Sequence, residues 1–232
     1  MATAGKSTRI LIVEDHPVFI FGLKELLHQE KDLVVVGQAE SVGEAWEKIG
    51  SLDPDLVIVD ITLKGRNGIE LIRDLKKHYK HLPVLVLSMH AESLFAERAL
   101  AAGARGYIVK EEASDGIVAA VRCVLNGEIY ASPKLMKTIL NRIVSQSETE
   151  KSPLKSLTDR ELEVFYAIGI GMSTRQIASK LRLSVKTIGT YRERIKEKLG
   201  LENASALMRY AVRWVEHHPD LNITFLGDEA AE

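Results

Sequence analysis

Five short apolar runs restrict the fold of this chain more than any other feature: Ile10-Leu11-Ile12-Val13, Leu33-Val34-Val35-Val36, Leu56-Val57-Ile58-Val59, Val84-Leu85-Val86-Leu87 and Tyr107-Ile108-Val109. Each is too short for a helix and apolar at consecutive positions, which suits a strand buried on both faces. Amphipathic stretches follow them: Val18 to Gln29, Val42 to Ile49, Ile69 to Tyr79, Leu94 to Ala102 and Ile117 to Leu125. Five strand–helix repeats predict a parallel sheet covered by helices on both faces, with right-handed crossovers.

The pattern changes after that. Ser132-Pro133 predicts an N-cap and N1 proline opening a helix to about Val144. Residues 145–156, SQSETEKSPLKS, are polar and without apolar period, as in a linker. Thr158-Asp159-Arg160-Glu161 and Ser173-Thr174-Arg175-Gln176 both have capping-box form, Ser184 can cap a third helix and Asn203 a fourth. The expected organisation is an α/β domain over 8–127, a linker over 128–156 with a helix near 132–144, a four-helix domain over 157–216 and an acidic tail over 217–232.

A length of 232 residues suits two such domains. Cys123 is the only cysteine, which excludes an intrachain disulfide and a cysteine-based zinc site. MATAGKSTR has no apolar leader character and no segment reaches the length of a membrane span, so a cytoplasmic protein without a membrane partner is expected. Gly5-Lys6-Ser7-Thr8 spells the end of a phosphate-binding loop, but the glycine four residues earlier is missing and a strand follows instead of a helix. The histidines suggest no ligand cluster. Net charge is −1, yet Leu157 to Arg213 holds eleven Lys and Arg against six Asp and Glu, a local +5. A basic segment in a neutral chain points to a polyanion partner for that segment.

Parallel sheets bind ligands beyond the carboxyl ends of their strands. The polar residues there are Glu14 and Asp15 after the first strand, Asp60 after the third, Ser88 after the fourth and Lys110 after the fifth. Three converging carboxylates repel one another unless a cation intervenes, and hard oxygen ligands suit Mg²⁺. Lys110 and the Ser88 hydroxyl then complete a site for a phosphoryl group, with Asp60 as nucleophile.

These residues, together with the opening IVEDHPVFIFGLKELL, resemble the receiver domain of bacterial two-component response regulators, over roughly residues 8–127. The resemblance implies a flavodoxin-like sheet of order 2-1-3-4-5, Asp60 as phosphoacceptor and Glu14 with Asp15 as the acidic metal pair. It implies the Thr62 backbone carbonyl as a further Mg²⁺ ligand, Ser88 and Tyr107 as switch residues, and Lys110 as the site lysine. Three positions depart from the family. Leu63 and Lys64 stand where Met-Pro is usual, and Glu111 where proline often follows the lysine. Thr62 and His90 fall where the family tunes hydrolysis of the acyl phosphate.

In SVKTIGTYRERIKEKLG, residues 184–200, Ile188, Tyr191, Ile195 and Leu199 share one helical face and Lys186, Gly189, Thr190, Glu193 and Lys196 the other. Arg192 and Arg194 flank the margins. Such a helix can enter a major groove, and the segment Ser173 to Arg182 with the turn Leu183-Ser184 supplies the first half of a helix-turn-helix. The stretch from Leu157 to Gly200 resembles the LuxR-type DNA-binding domain of NarL/FixJ regulators along its whole length. Gly189 replaces a lysine common in that family. Thr190 and Glu193 become the candidate base readers and Lys186, Arg192, Arg194 and Lys196 the phosphate contacts, and Thr187 and Gly189 complete the expected DNA-binding set.

The reading is a DNA-binding response regulator: a partner sensor histidine kinase phosphorylates Asp60, the face of the fourth and fifth helices changes, and a homodimer binds a two-fold related duplex site. The expected rivals are a receiver acting as phosphate sink or phosphate-independent interaction module, and an aspartyl-phosphate phosphatase. Thr62, where dehalogenase-like phosphatases place a second aspartate, speaks against turnover, leaving Mg²⁺-dependent self-phosphorylation and slow autodephosphorylation. Leu207, Ala211 and Trp214 are candidates for either a dimer contact or core packing.

Overall fold

A computed structural model describes residues 7–63, 67–89, 93–144 and 153–217. Lys64, Gly65, His90, part of the linker and the tail from residue 218 lie outside the described residues.

The five apolar runs form strands β1 Thr8–Val13, β2 Leu33–Ala39, β3 Leu56–Asp60, β4 Val84–Ser88 and β5 Gly106–Val109. All four neighbouring pairs are parallel, in the order β2-β1-β3-β4-β5. The strand alternation explains why the runs are apolar throughout. Ile10, Ile12, Leu56, Ile58, Leu85, Leu87 and Ile108 point to one side, into a core closed by α1 (Pro17–His28) and α5 (Ala113–Leu125). Leu11, Val13, Val57, Val59, Val84, Val86 and Tyr107 point to the other, beneath α2 (Val42–Leu52), α3 (Gly68–His78) and α4 (Ser93–Ala102). Because β1 lies between β2 and β3, the chain reverses its direction of winding beside β1 and β3, and Glu14, Asp15 and Asp60 end those two strands.

Helix α5 begins at Ala113, four residues before the apolar period starts at Ile117, because it grows out of a short 3-10 turn over Lys110–Glu112. Helix α6 spans Pro133–Val144, as the Ser-Pro signal predicts. In the described end of the linker, Pro153–Ser156 forms a second 3-10 turn and buries Leu154.

The helical domain comprises α7 (Asp159–Gly169), α8 (Thr174–Lys180), α9 (Val185–Leu199) and α10 (Ala204–Glu216). Both capping boxes are present, on Thr158 with Glu161 and on Ser173 with Gln176. Ser184 and Asn203 cap α9 and α10. Helix α8 stops two residues short of Arg182, because Arg182 itself adopts a left-handed backbone with φ 52°, which no α-helix continues through. Leu207 and Ala211 are fully buried and Trp214 packs on Phe165 at 5.8 Å, so all three belong to the core of this domain.

Candidate functional site

Every polar residue expected at the strand ends is buried: Glu14, Asp15, Asp60, Ser88 and Lys110. Lys110 Nζ lies 3.0 Å from Asp60 Oδ2 and 2.5 Å from Glu14 Oε2, and also 4.5 Å from the centre of the Phe19 ring. Burial raises the pKa of the Asp60 carboxyl; Lys110 opposes that and Glu14 adds to it, and the net direction is upward. Burial alone would lower the Lys110 pKa, but Asp60 and Glu14 outweigh it and hold the ammonium charged. Asp60 and Lys110 thus form one buried ion pair.

The loop after β3 is pinned close to this pair. The Thr62 amide donates to Asp60 Oδ1 at 3.1 Å and the Gly68 amide to the Ile61 carbonyl at 2.8 Å. A Cβ on Gly68 would stand 2.2 Å from the Asp60 carbonyl oxygen, so only glycine lets α3 start so near Asp60. Asn67 caps α3 by accepting from the Ile69 amide at 2.7 Å.

The acidic set suits a divalent cation. Ligand atoms of Glu14, Asp15, His16 and Asp60 lie within 4.8 Å of one another. Glu14 Oε2 and Asp15 Oδ1 are buried yet accept no well-aligned hydrogen bond; each has a nitrogen neighbour, Lys110 Nζ at 2.5 Å and His16 Nδ1 at 3.0 Å. Buried carboxylate oxygens left in that condition are the donors that a hard cation would satisfy. The sequence reading expects no histidine ligand, whereas His16 Nδ1 also sits 2.7 Å from Glu14 Oε1. Its position directly after two strand-end acids was the available signal.

Tyr107 is fully buried at the start of β5, on the α4 side of the sheet. Helix α4, expected to help form a dimer face, meets the helical domain instead. Phe95 packs edge-on against Tyr166 of α7 at 6.4 Å. Arg98 donates to the carbonyls of Leu154 and Leu157 at 2.8 and 2.9 Å and to Asp159 Oδ1 at 2.9 Å. Arg73 of α3 reaches the other Asp159 oxygen at 2.9 Å. Asn67 Nδ2 donates to Glu163 Oε1, and Glu163 Oε2 accepts from Arg160, whose other nitrogen reaches the Leu181 carbonyl. Finally Arg182 Nη1 lies 2.5 Å from Asp15 Oδ2.

Every residue of α7 is buried, charged ones included, between these contacts and the helical domain's own core, where Phe165 packs on Tyr210 and Trp214. The sequence gives no hint of that, because the partners stand far away along the chain and each charged residue of α7 alone looks like surface.

On α9 the expected division holds. Ile188 and Ile195 are buried, whereas Lys186, Thr190, Glu193 and Arg194 are exposed and Thr187, Gly189, Arg192 and Lys196 half-buried. Nothing lies within 4 Å of a Cβ built on Gly189, so no internal packing demands glycine there. Several assignments gain partners: Thr187 shares the cap with Ser184, Arg192 approaches Thr174 at 3.4 Å, and Lys196 pairs with Glu193 at 2.8 Å. Part of the local positive charge is therefore neutralised within the fold, since Arg160, Arg182 and Lys198 also bind carboxylates.

Known proteins resemble both halves. Residues 10–122 match the response regulator receiver domain, and residues 155–211 match the bacterial regulatory proteins of the luxR family. The chain is 32% identical to oxygen regulatory protein NreC of Staphylococcus epidermidis over 211 residues, covering 88% of this chain and 97% of that protein. It is 32% identical to transcriptional regulatory protein DegU of Brevibacillus brevis over 224 residues, covering 90% and 95%. Among solved structures, RcsB of Salmonella enterica serovar Typhimurium, bound to promoter DNA in the presence of phosphomimetic BeF₃⁻, is 27% identical with a TM-score of 0.59, over 90% of this chain and all of that one.

Proposed function

The chain belongs to the DNA-binding response regulators with a LuxR-family output domain, and from that membership we propose that phosphorylation of Asp60 releases the output domain from the receiver. The observation that carries this is the Asp60–Lys110–Glu14 ion pair, set at the strand ends in the same loop system that grips α7.

A sensor histidine kinase is the donor in this reading. An Asp60 carboxylate oxygen attacks phosphorus, the P–N bond of the kinase phosphohistidine breaks, and its electron pair stays on the imidazole. Lys110, already charged and in contact with Asp60, stabilises the negative phosphoryl oxygens, and Ser88 at the end of β4 offers a hydroxyl to one of them. Glu14, Asp15, Asp60 and the Thr62 carbonyl would hold Mg²⁺, which when bound supplies positive charge to the transferring group. His16 stands close enough to join them. Turnover is limited to loading from a phosphodonor and slow hydrolysis of the acyl phosphate.

The new group adds about −1.5 to −2 charges beside Asp60. Ser88 and Tyr107 then rearrange and α4 shifts, loosening Phe95 and Arg98 from α7. In this reading the arrangement described above is the resting state: the α4 face is occupied by α7 until phosphorylation, and afterwards becomes free to pair two copies. A homodimer would then present two α9 helices to a two-fold related duplex in the bacterial cytoplasm. The full-length similarity to DNA-binding relatives disfavours a receiver that serves only as a phosphate sink.

The test is intact mass after incubation with Mg²⁺ and a small phosphoryl donor. One phosphoryl group on the wild type and none on Asp60→Ala, followed by tighter DNA binding of the loaded protein, is expected. No adduct with magnesium in excess would remove phosphorylation control.

A further inference from the structure

We infer that Arg182 and a divalent cation compete for Asp15, so that cation binding frees the turn before α9 from the receiver. This rests on the reading of Glu14, Asp15 and Asp60 as the cation site.

The contact spans 167 residues: Arg182 Nη1 of the helix-turn-helix meets Asp15 Oδ2 at 2.5 Å. Lys110 already serves Asp60 and Glu14. Two single positive charges thus face three carboxylates, with the His16 ring nitrogen 2.7 Å from Glu14 Oε1 and 3.0 Å from Asp15 Oδ1. A divalent cation together with Lys110 would balance all three, and Arg182 would then add an excess positive charge next to the cation. Like charges at that range in a poorly hydrated pocket exclude one another.

The two partners of the pair are unequally placed, which decides how it breaks. The Asp15 side chain is 2% exposed and the Arg182 side chain 39%. Freed Arg182 can return to water at little expense, whereas Asp15 cannot be left as an unpaired buried carboxylate. The pair therefore breaks when another cation takes Asp15, and the arginine is the leaving partner. Asp15 Oδ1, buried without a hydrogen bond, already offers such a cation one oxygen.

The backbone at Arg182 is an independent sign that the side chain is used. Its φ of 52° is the left-handed conformation that glycine adopts freely and other residues adopt at a penalty. A tight turn between two helices is a natural place for glycine. Here an arginine occupies it, aimed at the receiver's acidic pocket. Its neighbour Leu181 is held by Arg160, which is bonded through Glu163 to Asn67 near Asp60. The same turn is thus fastened twice, through the Asn67–Glu163–Arg160 chain to Leu181 and through Arg182 to Asp15.

The experiment is Mn²⁺ binding to the full chain, read from the electron paramagnetic resonance signal of free Mn²⁺. The proteins are wild type, Arg182→Gly (which relaxes the left-handed backbone), Arg182→Gln and Asp15→Asn. Both arginine variants should bind Mn²⁺ more tightly than wild type, by a factor within the roughly 5- to 150-fold range of coupling between two sites. Asp15→Asn should weaken binding in every background. Equal affinity in wild type and both arginine variants, with Asp15→Asn still weakening it, would overturn the competition while leaving the cation site intact. Binding that is insensitive to Asp15→Asn would overturn the cation site and the competition together.

Discussion

Asn67 Nδ2 donates to Glu163 Oε1 at 2.7 Å, and so one side chain both caps α3 in the loop after Asp60 and holds the first helix of the LuxR-family domain. The cap needs the Asn67 oxygen and the interdomain bond needs its nitrogen. A shift of the loop after Asp60 therefore moves the Glu163 contact with it, and through Arg160 it reaches the Leu181 carbonyl in the helix-turn-helix. The path consists of bonded atoms, and each step can be cut separately.

Asn67→Ser separates the two roles of that residue. Serine remains a good N-cap, so α3 keeps its start, but its short side chain has no nitrogen to offer Glu163. The unphosphorylated variant should bind duplex DNA more tightly than the wild type by roughly 5-fold or more, within the usual range of intersite coupling. Its thermal stability should drop only slightly. Fluorescence anisotropy with a labelled duplex, without phosphodonor, measures the first; unchanged affinity would mean that this bond does not hold the domain back.

Arg98 makes the most extensive single grip on the output side, with two carbonyls and the Asp159 carboxylate at 2.8 to 2.9 Å. Hydrogen bonds from a charged donor each contribute about 1.5–3 kcal/mol, and the three acceptors lie at the linker and at the start of α7. Arg98→Ala should split the thermal unfolding into two calorimetric transitions, one for each domain, as the joint core loosens. Arg98→Lys should not restore a single transition, because an ammonium lacks the planar fork that reaches three acceptors at once. A single transition at the wild-type temperature in Arg98→Ala would show that the grip adds nothing.

The receiver pocket was legible in the sequence because its parts come from strand ends, and strand ends are marked by where an apolar run stops. Glu14, Asp15, Asp60, Ser88 and Lys110 were each placed by that rule; the structure buries all five and brings Glu14, Asp15, Asp60 and Lys110 together. The recognition helix was legible for a similar reason: one helix carries both faces, so Ile188 and Ile195 could be assigned inward from their spacing alone. The domain interface was not legible. Asp159, Arg160 and Glu163 have the composition of a solvated first turn, and only their partners on α3, α4 and the α8–α9 turn make their burial tolerable. His16, the N-cap of α1, carries no periodic signal, and only its place directly after Glu14 and Asp15 marks it.

Glu161 ties the output domain's stability to acid. Burial favours its neutral form, but hydrogen bonds from Lys198 and from Thr158 outweigh it and lower its pKa below the ordinary glutamate value of 4.5. With the folded value depressed, the carboxylate contributes stability that is fully present above 4.5 and is lost as pH falls through the folded value. Urea denaturation followed from pH 6 down to about pH 3 should show a steeper loss in wild type than in Glu161→Gln. Lys198→Met should raise the Glu161 pKa and move that loss to higher pH. Identical slopes in wild type and Glu161→Gln would mean that folding does not shift the Glu161 pKa, and so that Lys198 and Thr158 do not favour its charged form.

Glu193 and Lys196 face the same surface of α9 and neutralise each other at 2.8 Å, with the glutamate well exposed and the lysine mostly covered. While paired, Lys196 offers little charge to a DNA phosphate, and Glu193 is held near the base-reading position. Glu193→Ala should therefore do two opposite things. It releases Lys196 to a phosphate, so affinity for random duplex should rise and the slope of log affinity against log salt should steepen by about one. It also removes the acceptor suited to a cytosine amino group, which should cost about 1–3 kcal/mol of preference for the specific site. Lys196→Ala should instead flatten the salt slope and weaken all duplexes alike. Salt titrations on one specific and one random duplex distinguish these outcomes. If Glu193→Ala leaves the specific-to-random ratio unchanged, Glu193 does not read bases and Thr190 becomes the residue to test.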